Sequence, residues 1–528
     1  MDPLVTRFAS LSIFPSFFLD SMPLQYASGD IAWVLACTAL VWLMIPGVGY
    51  FYAGMARSQR NALAMIMCSV MSLVVVTVQW FVWGYSLCFS KTASFFIGNL
   101  DNAFLRNVLG GPSVGSKNIP DLIFMVFQCM FASLTPALAI GSAASRARLL
   151  PLIVFVFVWS TLVYDVIACW TWNPNGWSSK LGVLDFAGGT PVHITSGFAS
   201  LAYAYIIGRG VVDKSQQPQQ QQPYSQNPQN MSNLITGCAF LWFGWFGFNG
   251  GSALGGGLRG GMAILVTNLA ASVAALVWMG LDYWKQRQFS ALSFCSGAVA
   301  GLVTITPAAG YVGPGPAVAI GVMGGMACNW AVHLKHWLHF DDVADVFAIH
   351  GVGGYVGSIL TGVFAEQYIA ALDDTEIPGG WINGNWMQVP RQMADATAGA
   401  AWSFCVTYLI LLVMDRIPGL SMRVPREDDI QQYLINQNAT VSNHHNGTAA
   451  PAAAPVIGVD HGCTSGNAFT YSSSDQKSDL ASYYHVDRIF TIDHSSREQH
   501  LVNNGSFELE SQQRSPTIND RVKISLSY

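Results

Sequence analysis

Two histidines stand apart from the other nine in this chain: His193 and His350 are the ones that lie in the apolar spans proper. His333, His336 and His339 gather around Lys335 in a loop, and the remaining six lie beyond residue 440. A neutral imidazole carries one donor and one acceptor, so two of them side by side can share a proton along a line. An ionisable group at depth in an apolar span is costly unless it faces a pathway or a partner. The competing reading of each is a satisfied core histidine, and position alone leaves both readings open. Asp185 opens the segment Asp185-Phe186-Ala187-Gly188-Gly189-Thr190-Pro191-Val192-His193. An aspartate followed by glycines reads first as a helix start that accepts from unpaired backbone N–H groups; direct contact with a cation is the alternative. Asp165, in an otherwise apolar segment, reads as structural and near its outer end. Phe131, Trp172 and Phe248 are not distinguished by composition from packing aromatics. A ring face can nonetheless hold a cation, and a hydroxyl such as Ser252 can accept from the same cation. No phosphate-binding loop, nucleophile elbow or metal-spaced His/Cys set occurs, so neither enzyme chemistry, nor a metal, nor a cofactor is expected.

The elements that must position these groups are membrane spans. The 528 residues are 52% hydrophobic and 10% charged, against about a quarter charged in a soluble domain. Uncharged runs close to or beyond the roughly 20 residues needed to cross a bilayer lie within 31–56, 61–90, 122–145, 149–164, 186–208, 231–258, 260–281, 288–334, 346–365 and 396–414. The run 288–334 is long enough for two spans, divided at Gly310-Tyr311-Val312-Gly313-Pro314-Gly315. Eleven spans result, and the weakest is the segment 149–170, which contains Asp165. Basic residues set the orientation. With the N-terminus outside, twelve Lys and Arg fall on the cytoplasmic side, from Arg57 to Arg426, and seven on the outer side over longer loops. An odd number of spans then leaves the C-terminus inside.

Nine of the ten cysteines are scattered in or beside the apolar segments with no Cys-x-x-Cys, as expected of reduced thiols packing like small hydrophobes. The formal charge of −5 points to no polyanionic partner, so nucleic acid is excluded and lipid is the expected surround. The N-terminal stretch Leu11 to Leu19 is broken by Pro15 and preceded by the lone Arg7, a poor match to a cleaved signal.

Three segments fall outside the predicted core, which covers 30–418. Residues 1–29 form an extracellular N-terminal segment. Residues 210–231 hold Gln216-Gln217-Pro218-Gln219-Gln220-Gln221-Gln222-Pro223, a cytoplasmic linker that cannot bury enough apolar surface to order itself. Residues 419–528, rich in Ser, Asn, Ala and Pro, read as a disordered cytoplasmic tail by the same reasoning. Its glycosylation sequons at Asn438, Asn446 and Asn504 would then never meet the lumen. The linker separates five spans from five more, with one left over. Five is odd, so the second half would enter the membrane in the opposite sense, as in an inverted repeat with the substrate path between halves. Thr135-Pro136-Ala137 and Thr306-Pro307-Ala308 echo one another in spans three and eight, and His193 and His350 in spans five and ten.

These residues resemble the ammonium transporter, methylammonium permease and Rh family. The segment 185–193 is similar to the signature of that family's fifth helix, and Gly244-Trp245-Phe246-Gly247-Phe248-Asn249-Gly250-Gly251-Ser252 to its sixth. Thr306-Pro307-Ala308-Ala309-Gly310-Tyr311-Val312 is similar to the eighth and Asp345-Val346-Phe347-Ala348-Ile349-His350-Gly351-Val352-Gly353-Gly354 to the tenth. The likeness covers about 30–427. Trp170-Thr171-Trp172-Asn173-Pro174-Asn175-Gly176-Trp177 sits closer to the methylammonium permease branch than to Rh proteins. After Ile417-Pro418-Gly419-Leu420 the family's usual cytoplasmic motif is not recognisable.

The resemblance implies an all-α membrane protein with eleven transmembrane helices, two inverted five-helix repeats plus one extra helix, assembled as a plasma-membrane homotrimer with a pore in each subunit. It implies an external ammonium site at Phe131, Trp172 and Ser252, with Trp170 two residues away as the competing position. It implies a stacked gate of Phe131 and Phe248, a pore histidine pair of His193 and His350, and Asp185 as the near-entrance aspartate. Ammonium and methylammonium are the implied substrates, taken up for nitrogen nutrition. An ammonium ion entering an apolar pore pays a large desolvation cost, and a buried charge tends to neutralise instead. Deprotonation near the Phe131/Phe248 gate, passage of ammonia past His193 and His350, and proton transfer along a separate or histidine-linked route follow. An ammonium sensor (transceptor) on the same fold and an Rh-like ammonia gas channel are the competing functions.

Overall fold

The computed structural model describes residues 26–56, 59–142, 147–207 and 230–422. Most of the expected N-terminal segment, linker and tail, with the tail sequons, lies outside the described residues. Those described are almost wholly helical, and the one β-bridge among them joins Pro112 and Pro120.

In chain order, α1 is Ser28–Met55 and α2 is Gln59–Gln79, continued by a π-helical turn Trp80–Gly84 and by Tyr85–Phe89. The third, α3, is Asp121–Ala139. The fourth, α4, runs Leu149–Trp159, then a π-helical turn Ser160–Tyr164, then Asp165–Trp172. The fifth, α5, starts as a π-helical segment Gly189–Ile194 and continues as Thr195–Ile207. The sixth to ninth are α6 Met231–Gly251, α7 Leu258–Gln286, α8 Ala291–Ile305 and α9 Pro314–Ala331. The tenth, α10, again starts π-helical, Phe347–Val352, before Gly353–Phe364. The last, α11, is Gln388–Arg416. Eight of these segments are long and apolar enough to cross a membrane. The other three, α5, α6 and α8, stand where the uncharged runs place spans.

Local signals account for the boundaries. Asn230 and Ser290 cap α6 and α8 by accepting from the amides of Asn233 and Ser293 at 2.9 and 3.0 Å. Pro314 sits at the start of α9, where its missing N–H costs nothing. The run 149–164 stops at Asp165, yet the helix does not. The Asp165 side chain turns inward, where the Gln79 amide donates to it at 2.6 Å and the Cys88 thiol at 3.4 Å. A charge in the sequence therefore marks a buried polar contact here, not the end of a span.

Large side chains such as Trp42, Val74, Phe81 and Leu276 are exposed along the helices. In water such surfaces would associate; facing lipid they are satisfied. Trp284, Phe289, Trp330 and Trp337 are exposed near the ends of α7 and α9, as an interfacial aromatic belt requires. Eight of the nine cysteines among the described residues are buried.

Helices α1 and α6 run against each other at backbone distance, and a Cβ at Gly54 would lie 2.5 Å from the Leu234 nitrogen. The same closeness recurs where α5 crosses α10, since a side chain at Gly197 would overlap the backbone of Gly351. Gly197→Val is therefore expected to destabilise the bundle by about 1–3 kcal/mol through overpacking. A lowered unfolding midpoint of the purified variant checks this, and an unchanged midpoint contradicts it.

Candidate functional site

The crossing of α5 and α10 brings the two histidines together. Their Nδ1 atoms are 3.2 Å apart, with ring centroids 5.3 Å apart. One Nδ1 must donate and the other accept, so a neutral pair holds a single proton between them. Both rings are buried, and Nε2 of His193 has no hydrogen-bond partner. The His193 ring stacks on Trp245 at 5.4 Å and 18° and touches Phe248 at 6.0 Å. Trp245 is itself fixed, because its indole N–H donates to Thr306 at 2.9 Å. Thr306 in turn donates to the Leu302 carbonyl, just as Thr135 donates to that of Phe131. The sequence echo between spans three and eight is thus the same hydroxyl contact made twice.

Above the histidines, Phe131 of α3 and Phe248 of α6 stack at 4.2 Å and 21°, both fully buried. Trp172, half-buried at the end of α4, meets Phe131 edge-on at 5.9 Å. Its neighbour Trp170 points elsewhere: it donates to the Phe96 carbonyl at 2.8 Å and packs on Phe96, Trp177 and Trp402. Ser252 donates to the Phe248 carbonyl at 2.8 Å. That bond uses its one proton, so whatever else approaches the hydroxyl meets lone pairs.

Asp185 is engaged as a cap. One carboxylate oxygen accepts from the amides of Gly188 and Gly189 at 2.7 and 2.8 Å, and the other from Thr190 at 2.7 Å. Gly188 has φ +115, so the turn suits glycine. The Asp185 carbonyl also accepts from the Trp172 indole at 3.2 Å. The capping reading thus describes what this carboxylate touches, and the same residue fixes both the histidine turn and the tryptophan.

Asp342, which sequence reasoning did not single out, mirrors it. It accepts from the Phe347 amide at 2.8 Å, five residues on, as Asp185 does from Thr190. Each aspartate precedes its histidine by eight residues. Burial and nearby Asp345 push the Asp342 carboxyl up to about 6, against the pull of the Phe347 amide and Lys335. The shared spacing was a legible signal. Asp395, also overlooked, is a buried carboxylate of α11. Its partners lie 217 and 205 residues away in Ser178 and Thr190, so no local pattern announces it. Arg259 lies over the rings of Phe186 and Tyr311 at 4.9 and 5.1 Å and is paired with Asp373 at 3.1 Å.

Among the described residues no cluster of ligands suits a metal ion. The site instead has aromatic faces, a hydroxyl and two imidazoles in apolar surroundings, which suits recognition of a small cation followed by handling of its proton.

A model of the Ammonium Transporter Family matches residues 32–439. Ammonium transporter 1 of Schizosaccharomyces pombe is 52% identical over 417 residues, 78% of this chain and 82% of that protein. Ammonium transporter MEP2 of Saccharomyces cerevisiae is 45% identical over 411 residues, 77% of this chain and 81% of that protein. The crystal structure of Candida albicans Mep2 superposes with a TM-score of 0.71 at 47% identity, covering 76% of this chain and 88% of that one.

Proposed function

Because the chain belongs to the Ammonium Transporter Family, a family of membrane transporters and not of enzymes, we propose that it takes ammonium in across the plasma membrane by binding the ion outside, deprotonating it, and passing ammonia through an apolar pore. Phe131, Trp172 and Ser252 receive the ion. The aromatic faces attract it by about 2 kcal/mol once it sheds water, and Ser252 accepts one of its N–H bonds. Phe131 and Phe248 close the path beneath. Charge is disfavoured beyond them, so the ion gives up its proton at this gate; the proton crosses by a separate or histidine-linked route, and His193 and His350 offer ammonia a donor and an acceptor. Potassium has no proton to lose and is excluded. Methylammonium fits the same chemistry.

The observation that carries the reading is the continuous order of stacked phenylalanines, bare His193 Nε2 and the Nδ1 pair. The arrangement has its N-terminus outside and C-terminus inside. It has two inverted five-helix halves joined by the 210–231 linker, a final helix, a separate 419–528 tail, and three copies per assembly, each with its own pore. The packing of α1 on α6 and the matched starts of α5 and α10 support the inversion.

Uptake of labelled methylammonium tests the recognition step. Trp172→Leu is expected to raise the half-saturating concentration about 10-fold through loss of the ring face. Trp170→Leu, which loses packing on Phe96 and Trp402, is expected to lower protein abundance while leaving that concentration within about 2-fold. The reverse order would assign recognition to Trp170.

A further inference from the structure

Behind the histidine turn sits a second carboxylate. Asp395 is 1% exposed and accepts two hydroxyl hydrogen bonds, from Ser178 and from Thr190, each 2.5 Å long. Thr190 lies three residues before His193 and is shared between two acids, its amide donating to Asp185 and its hydroxyl to Asp395. The helix that carries Asp395 is shaped to receive it, since a Cβ at Gly399 would lie 2.5 Å from the Thr190 methyl.

Three amides donate to Asp185 and two hydroxyls to Asp395. Both carboxylates are buried, which disfavours charge, and both are surrounded by donors, which offset that cost and favour the ionised form. Arg259 is already engaged by Asp373, and Arg391 stands one turn before Asp395 on α11.

We infer that Asp395 is a positioning residue for substrate recruitment: through Thr190 it clamps the turn that carries His193, and its charge joins that of Asp185 in drawing cations to the outer mouth. The inference rests on the ammonium-transport reading. The clamp explains why a broken, π-helical start is held in one place. The charge explains how an apolar pore can still concentrate a cation ahead of its gate. At roughly 10 Å, through an effective dielectric of about 20, one such charge alters cation affinity on the order of 10-fold.

The test measures concentration-dependent methylammonium uptake, normalised to assembled protein at the membrane, for wild type, Asp395→Asn, Thr190→Ser and Thr190→Val. Asp395→Asn keeps the shape and removes the charge; its half-saturating concentration is expected to rise about 10-fold with most of the maximal rate retained. Thr190→Val keeps both acids and breaks the clamp, so its maximal rate is expected to fall at least about 5-fold while Thr190→Ser stays near wild type. A half-saturating concentration within about 2-fold of wild type in Asp395→Asn overturns the charge role. Should Asp395→Asn not assemble, the threonine pair decides, and equal rates for Val and Ser overturn the clamp. No uptake by wild type would instead sink the transport reading itself.

Discussion

Alanine at both His193 and His350 is expected to cut saturable ammonium uptake at least 10-fold, with either single change costing nearly as much. The reason is geometric. The two Nδ1 atoms share one hydrogen bond at 3.2 Å, so removing either ring disables the line that the pair forms, and residues acting as a unit are not additive. Selectivity is expected to loosen as well. An emptied pore beside Trp245 and Phe248 gives room for water, and with water a hydrated potassium ion can follow. Rates in ammonium and in potassium for wild type, both singles and the double check both points. Additive losses would mean that the rings act separately, and full ammonium uptake with intact potassium exclusion in the double would leave them as packing.

Asp185→Ala is the second change with a large expected effect, and it acts on structure before function. The amides of Gly188, Gly189 and Thr190 lose their common acceptor in a buried place. Hydrogen bonds to a charged group contribute about 1.5–3 kcal/mol each, and orphaned buried donors cost a similar amount. The sum, tempered by local relaxation, is about 4 kcal/mol, at the exceptional end for one substitution. Little assembled protein and less than about a tenth of wild-type uptake are expected. Asp185→Asn retains one accepting oxygen and should fall between. A purified Ala variant that unfolds at the wild-type temperature would show that the cap is not what holds the turn.

The family and the helices were legible because both are written locally. Uncharged runs gave the positions of the spans, and the motifs around His193, Ser252, Thr306 and His350 gave the family. At span four the uncharged run stops at Asp165, whereas the expected segment 149–170 carries on through it, as the helix does. Hydropathy treats a carboxylate as a boundary and cannot see the Gln79 amide, 86 residues earlier, that receives it. The choice between Trp170 and Trp172 was equally open in sequence, because both are tryptophans two residues apart on one helix. In the structure Trp170 packs on Phe96 while Trp172 meets Phe131 edge-on, contacts between distant residues that support the choice of Trp172. Asp342 stood in plain view, eight residues before His350 as Asp185 is before His193, and the repeat should have drawn it out. Asp395 is different: its meaning lies wholly in contacts across more than 200 residues.

The most direct test of selective ammonium transport is made on purified protein in sealed liposomes. An inward ammonium gradient is imposed and internal ammonium is followed, with potassium and methylammonium as parallel substrates. Saturable ammonium and methylammonium entry, with no potassium entry above that of empty liposomes, is the expected result. Potassium entering as readily as ammonium, or ammonium entry no faster than in empty liposomes, would contradict it.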